Sequence, residues 1–233
     1  NCLNHDAAVS VIEDGKIIFA AHSERTSRQK NDMHLNDEII RQALKYGNPD
    51  QIAYYERPWI KKSRQLYAGQ YNEVFNLNNL PSKYLRKWFK DYKINYIDHH
   101  LSHAAAGYYT SPYKEAAILV IDGIGEWDVL TLWHGKGENI KKLFSIKYPH
   151  SLGLFYSAAT QAIKLKPCEE EYILMGMSGW GKDKHWKQLE EDLFKTDELL
   201  KLKYNLHKGL GSYMDDWEQF DVAASTQTLT EHI

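Results

Sequence analysis

Lys93-Ile94-Asn95-Tyr96-Ile97-Asp98-His99-His100-Leu101-Ser102-His103-Ala104 is an apolar run that hands over to a helical pattern, and its reading decides the fold. An apolar stretch of strand length running straight into a helix is the building step of an α/β protein. If His103 stands one helical turn after His99, both imidazoles project from one face. Such a pair is either a packed or solvated couple or half of a metal site, and spacing alone leaves both readings open. A second apolar strand, Ala116-Ala117-Ile118-Leu119-Val120-Ile121, ends in Asp122-Gly123-Ile124-Gly125-Glu126. A carboxylate at a strand end, followed by glycines, suits a metal or a phosphate, which the backbone N–H groups of Gly123 and Gly125 would approach. Asp-Gly between apolar runs is also a hairpin signal, and Trp127 to Trp133 reads as the returning strand. Turn and site are therefore expected to be one object.

Outward from this centre, residues 5–13 alternate apolar and polar, Asp14-Gly15 turns, and Lys16 to Ala21 returns as a β-hairpin. Ser23 to Lys30 is a charged connection. Asn36 or Asp37 caps an amphipathic helix over Glu38–Tyr46 that ends at Gly47. Gln51 to Tyr55 is a short strand. Residues 57–92 are basic and aromatic, helical around Leu80–Tyr92, and read as a solvated face rather than an RNA surface. After the histidine helix come strands at 116–122, 127–134 and 139–147, then a helix near Leu154–Lys164. Residues 183–215 read as a charged helical insertion or peripheral lobe. Tyr156 and Thr160 are packing residues, and Asp221 is a helix N-cap. The approximate repeat predicts two ribonuclease-H-like lobes of the actin/sugar-kinase superfold, residues 1–111 and 112–233, the second incomplete at its C-terminal end.

A chain of 233 residues buries a substantial core, and its 16 tyrosines and 7 tryptophans favour a packed globule over disorder. The formal net charge of −2 gives no push toward nucleic acid or anionic lipid. No run is apolar enough to cross a bilayer. Cys2 and Cys168 are too few for a disulfide framework, so a cytoplasmic setting is expected. The chain opens at Asn1 inside a strand pattern and stops at Ile233 inside a helical one, and is read as a piece of a longer protein.

Seven motifs in order now resemble one family, the O-carbamoyltransferases of nodulation-factor and antibiotic biosynthesis. They are Asn4-His5-Asp6-Ala7-Ala8, Ser23-Glu24-Arg25 through Arg28 and Lys30, and His99-His100-Leu101-Ser102-His103-Ala104. Asp122-Gly123-x-Gly125-Glu126, Ser151 to Thr160, Glu171-Tyr172-x-x-Met175-Gly176 and Asp221-Val222-Ala223-Ala224-Ser225-x-Gln227 follow. Ile173 stands where the family motif has lysine, and Met177-Ser178 and Gly179-Trp180-Gly181 also depart from it.

The resemblance implies an N-terminal domain similar to the tRNA threonylcarbamoyl transferases. It implies His99, His103 and Asp122 as ligands of a divalent metal, iron before manganese or zinc, with a further aspartate beyond residue 233. Asp98 or a backbone carbonyl would orient an imidazole. The implied chemistry has two steps. A C-terminal domain makes carbamoyl-adenylate from carbamoyl phosphate and ATP, and the present domain passes the carbamoyl group to a hydroxyl of a sugar-like acceptor. His5 would take the hydroxyl proton and Lys30 would neutralise an anionic oxygen. Gly123, Gly125, Glu171 and Gly176 would border the nucleotide, with Gly179 and Gly181 beyond them. The alternatives are a tRNA threonylcarbamoyl transferase and, from another class, a non-catalytic nucleotide- and metal-binding module. A zinc hydrolase would want a general-base glutamate beside the histidines, and Leu101-Ser102 offers none.

Overall fold

Asp14 and Gly15 both take left-handed backbone, with φ of 48° and 74°. That is the demand of a two-residue primed turn, and it joins β1 (Ala8–Glu13) to β2 (Lys16–His22) as an antiparallel hairpin. The structure is a computed structural model that describes residues 2–3, 6–195 and 200–233. It is mixed α/β, and the chain divides into two compact units, Asn1–Ser102 and His103–Ile233.

In the first unit the hairpin is followed by α1 (Glu24–Ser27) and α2 (Asp37–Leu44). Asn36 is the cap of α2, its side-chain oxygen accepting from the Ile39 N–H at 3.0 Å. Ile39 and Ile40 are fully buried and join Ala7, Leu35, Tyr54 and Leu85 in the core of this unit. β3 (Ile52–Tyr54) leads to α3 (Pro58–Tyr67), α4 (Tyr71–Phe75) and α5 (Pro81–Leu85), and β4 (Ile94–Tyr96) then pairs with β3 in parallel. The expected helix over Leu80–Tyr92 is thus only α5, and two helices precede it that the basic-aromatic composition concealed. Pro58 and Pro81 start α3 and α5, where a missing N–H costs nothing.

Nor is the basic face wholly solvated. Lys62 is buried, and its ammonium donates to the Glu73, Val74 and Asn76 carbonyls and to Asn79 Oδ1 at 2.8–3.1 Å. One cation satisfies carbonyls at the end of α4 that no helical N–H reaches.

The helix α6 spans His99–Tyr109. In the second unit Tyr108 of α6 is buried and donates to the Lys114 carbonyl at 2.7 Å. β5 (Glu115–Gly125), β6 (Asp128–Lys136) and β7 (Asn139–Lys147) form an antiparallel meander in that order. Gly135 of β6 lies under the Tyr108 ring, where a Cβ would stand 2.8 Å from it. The chain reverses at Glu126, whose φ is 60°, and Trp127, not at Asp122-Gly123 as expected. The Asp-Gly pair instead sits inside β5, where the register slips between Ile121 and Gly125.

α7 (Leu152–Ala162), α8 (Glu171–Ser178), α9 (Trp186–Leu193) and α10 (Gln219–His232) complete this unit. Phe155, Leu174, Val222 and Leu229 form their common core. Residues 183–215 read as a charged insertion of helical pattern, and among its described residues α9 and a 3₁₀ turn at Leu206–Lys208 are the helical structure. Leu189, Leu193, Phe194, Leu202, Leu206 and Met214 from this segment are buried in the same core. Their irregular spacing within a charged sequence hid them from a periodicity reading.

Glu218, rather than Asp221, caps α10, accepting from the Phe220 and Asp221 N–H groups. Asp221 instead accepts from the Lys184 ammonium and from the Lys182 N–H at 2.8 Å. These partners, Lys184 first, hold its carboxyl below the usual carboxylate range. A carboxylate depressed in the folded state stabilises above its unfolded pKa, near 3.9, and that contribution is lost as pH falls through the folded value. Asp221→Asn is therefore expected to lower the thermal midpoint at pH 7 and to leave it less pH-dependent below pH 4, as melts across that range would show. Among the described residues no helix is long and apolar enough to cross a membrane.

Candidate metal centre

His99 and His103 occupy the first and second turns of α6, four residues apart and therefore on one face. The helix starts where it does because Asp98 Oδ1 accepts from the Leu101 N–H at 2.9 Å, while Asp98 Oδ2 pairs with Arg57 at 2.7 Å. Asp98 thus serves the helix and the arginine. Each of His99, His103 and Asp122 offers one ligand atom, and these atoms lie within 4.8 Å of one another. His99 is buried, Asp122 is half-buried and His103 is exposed, so the cluster opens to solvent on the His103 side. Two imidazoles and a carboxylate at this spacing fit a divalent transition metal, with coordination positions left for substrate oxygens.

Asp122 is held by an arrangement local to the second unit. Its Oδ1 accepts from the Gly123 N–H at 2.7 Å. Ser151, fully buried, donates from Oγ to the Gly123 carbonyl at 2.7 Å and accepts from the Leu154 N–H at 3.0 Å, capping α7. Two residues on, Gly153 lets α7 approach so closely that a Cβ there would lie 2.9 Å from Gly123 Cα. One hydroxyl therefore fixes both a helix start and the segment carrying Asp122. Ser151→Ala removes both bonds and is expected to cost about 1–2 kcal/mol, read as a lower midpoint in urea unfolding.

Against His99 stands a carboxylate that spacing does not point to. Glu56 is buried at the turn between β3 and α3, its Oε1 2.9 Å from the Lys61 ammonium and its Oε2 3.8 Å from His99 Nδ1. Burial raises its pKa, but the His99 imidazole and the Lys61 ammonium outweigh it, and the net shift is downward. The Tyr55 ring meets the His99 ring edge-on, with centroids 5.2 Å apart.

The remaining site residues expected from sequence are placed as follows. His5 lies outside the described residues. Lys30 is exposed beyond α1. Gly125 is buried at the end of β5. Glu171 opens α8, and its Oε1 accepts from Ser157 Oγ at 2.6 Å and from the Cys168 N–H at 2.5 Å. Gly176 sits in α8 with nothing within 4 Å of where a Cβ would be, whereas Gly181 abuts the backbone of Phe220. Tyr156 donates to Gln227 and Thr160 to the Tyr156 carbonyl, both as packing residues.

A mixed α/β chain with a two-histidine, one-carboxylate cluster falls in the class of candidate metal-binding proteins. Residues 61–233 match the family model described as carbamoyltransferase N-terminus, and the chain belongs to that family. The resemblance to the O-carbamoyltransferases read from its motifs is borne out. The chain is 29% identical over 279 residues to an uncharacterized protein of Synechocystis sp., covering 98% of this chain and 45% of that protein. It is 28% identical over 218 residues to nodulation protein NolNO of Sinorhizobium fredii, covering 84% of this chain and 30% of that one. A protein of Methanocaldococcus jannaschii is 26% identical over 179 residues, 77% of this chain and 32% of its own length. The chain spans less than half the length of each of these relatives.

Proposed function

We propose that this chain is the metal-holding domain of an O-carbamoyltransferase, moving a carbamoyl group from carbamoyl-adenylate to a hydroxyl of a sugar-like small-molecule acceptor. The observation that carries this reading is the convergence of His99, His103 and Asp122 in a member of the carbamoyltransferase N-terminus family. The scaffold we propose is an actin-like duplication, for which the hairpin–helix–strand order of the first unit and the meander followed by helices in the second are the support. Carbamoyl phosphate and ATP would be the ultimate donors, joined by an adenylate-forming domain C-terminal to the present one. Two free cysteines, Cys2 buried and Cys168 exposed, favour a reducing, cytoplasmic setting.

His99, His103 and Asp122 would hold a divalent metal, iron before manganese or zinc. Bound there, such an ion supplies Lewis-acid stabilisation of charge on substrate oxygens. The exposed side of His103 is the entry for donor and acceptor. Lys30, on the surface after α1, would meet the anionic donor, and His5 would accept the proton of the attacking hydroxyl. Gly123, Gly125, Glu171 and Gly176 would line the nucleotide side. Glu171 would act there through the backbone it fixes, since its carboxylate already accepts from Ser157 and Cys168.

Incubating the full-length protein with labelled carbamoyl phosphate, ATP and a panel of hydroxylated sugars tests the reading. Label transferred to an acceptor, with one AMP released per transfer, is the expected result. Retained metal and nucleotide binding with no transfer to any acceptor would favour a non-catalytic module instead.

A further inference from the structure

Glu56 precedes the residues matched to the carbamoyltransferase N-terminus model, and no motif read from the sequence includes it. Its position follows from the chain path. β3 ends at Tyr54, Pro58 starts α3, and the residues between form the turn that turns Glu56 inward. A buried carboxylate needs partners, and its two oxygens divide them. Oε1 lies 2.9 Å from the Lys61 ammonium and Oε2 faces His99 Nδ1 at 3.8 Å. A shift of about 1 Å closes the second contact to hydrogen-bond length. Tyr55 and His100 flank the same ring, with centroids 5.2 and 6.0 Å away, which leaves the imidazole little freedom to turn.

We infer that Glu56 is a positioning residue of the metal centre, holding the Nδ1–H of His99 so that its Nε2 lone pair faces the metal. A histidine ligand uses one ring nitrogen, and the partner of the other selects the tautomer and fixes the ring. Glu56 supplies a carboxylate on the Nδ1 side of the ring. Lys61 anchors the opposite oxygen and keeps the carboxylate from swinging away. The inference rests on the metal reading of His99, His103 and Asp122.

The test is Co²⁺ binding to the purified full-length protein, followed by its d–d absorbance and by competition with Zn²⁺. Glu56→Ala is expected to weaken Co²⁺ binding about 10–100-fold. Glu56→Gln, which still offers an acceptor to Nδ1–H, is expected to fall between Glu56→Ala and wild type. Lys61→Ala leaves the carboxylate facing His99 but loosens it, and is expected to weaken Co²⁺ binding less than Glu56→Ala does, which separates the histidine contact from the ion pair. Thermal midpoints of the metal-free forms report folding, and if Glu56→Ala does not fold, Glu56→Gln against wild type decides the matter. Wild-type affinity in the folded Glu56 variants overturns this inference alone. A wild-type protein that takes up no Co²⁺ overturns the metal reading as well.

Discussion

His103→Ala is expected to slow carbamoyl transfer by about 10²–10³-fold while leaving the stability of the metal-free protein within about 0.5 kcal/mol. The two halves of that expectation come from different observations. His103 is exposed, so its ring buries little surface, and truncating it opens no cavity. Yet it offers one of three candidate ligand atoms clustered within 4.8 Å, and a site reduced to His99 and Asp122 would lose the geometry that a divalent ion needs. The rate loss corresponds to the several kcal/mol of charge stabilisation a metal contributes to a transition state. His99→Ala is a less clean probe, because His99 is buried and packed against Tyr55. Parallel transfer assays and thermal melts on His103→Ala check both halves. A folded variant with wild-type turnover would remove the imidazole pair from the chemistry.

The second large effect is on stability. Gly181→Ala would place a Cβ 1.8 Å from the Phe220 carbonyl oxygen and 2.3 Å from its carbon. Both atoms are backbone at the first turn of α10, so no rotamer change relieves the overlap. A loss of about 3 kcal/mol or more is expected, or about 6–12 °C in the thermal midpoint. Gly176→Ala is the matched control. It lies in α8 with open space at the Cβ position, and alanine there is expected to raise helix stability by about 0.5–1 kcal/mol. The pair separates two glycines that the resemblance alone treats alike.

The histidine pair of the candidate centre was legible because its signal is short-range. A helical i, i+4 spacing brings His99 and His103 together without reference to the rest of the chain. Asp122 stood out at the end of an apolar strand, where it suited a metal or a phosphate, and its grouping with the histidines came from the family resemblance. The primed turn at Asp14-Gly15 and the cap at Asn36 were equally local. What escaped depends on distant residues. Glu56 meets His99 across forty-three positions of sequence, and a lone glutamate two residues before a proline carries no spacing signal. Asp221 read as a cap because Asp before a helical run is one, yet its partners Lys182 and Lys184 come from the loop before α9. Lys62 read as a solvated charge because nothing local marks a lysine that gathers carbonyls from α4. The reversal at Glu126 was displaced from Asp122-Gly123 for a similar reason. Ser151, twenty-eight residues on, holds the Gly123 carbonyl and keeps the segment extended.

Metal content is the most direct test of the account: elemental analysis of the full-length protein purified without added metal, beside His103→Ala and Asp122→Ala. Close to one equivalent of a divalent transition metal per wild-type chain is expected, and almost none in either folded variant. Metal retained in both variants, or a wild-type protein that binds none on reconstitution, would contradict it.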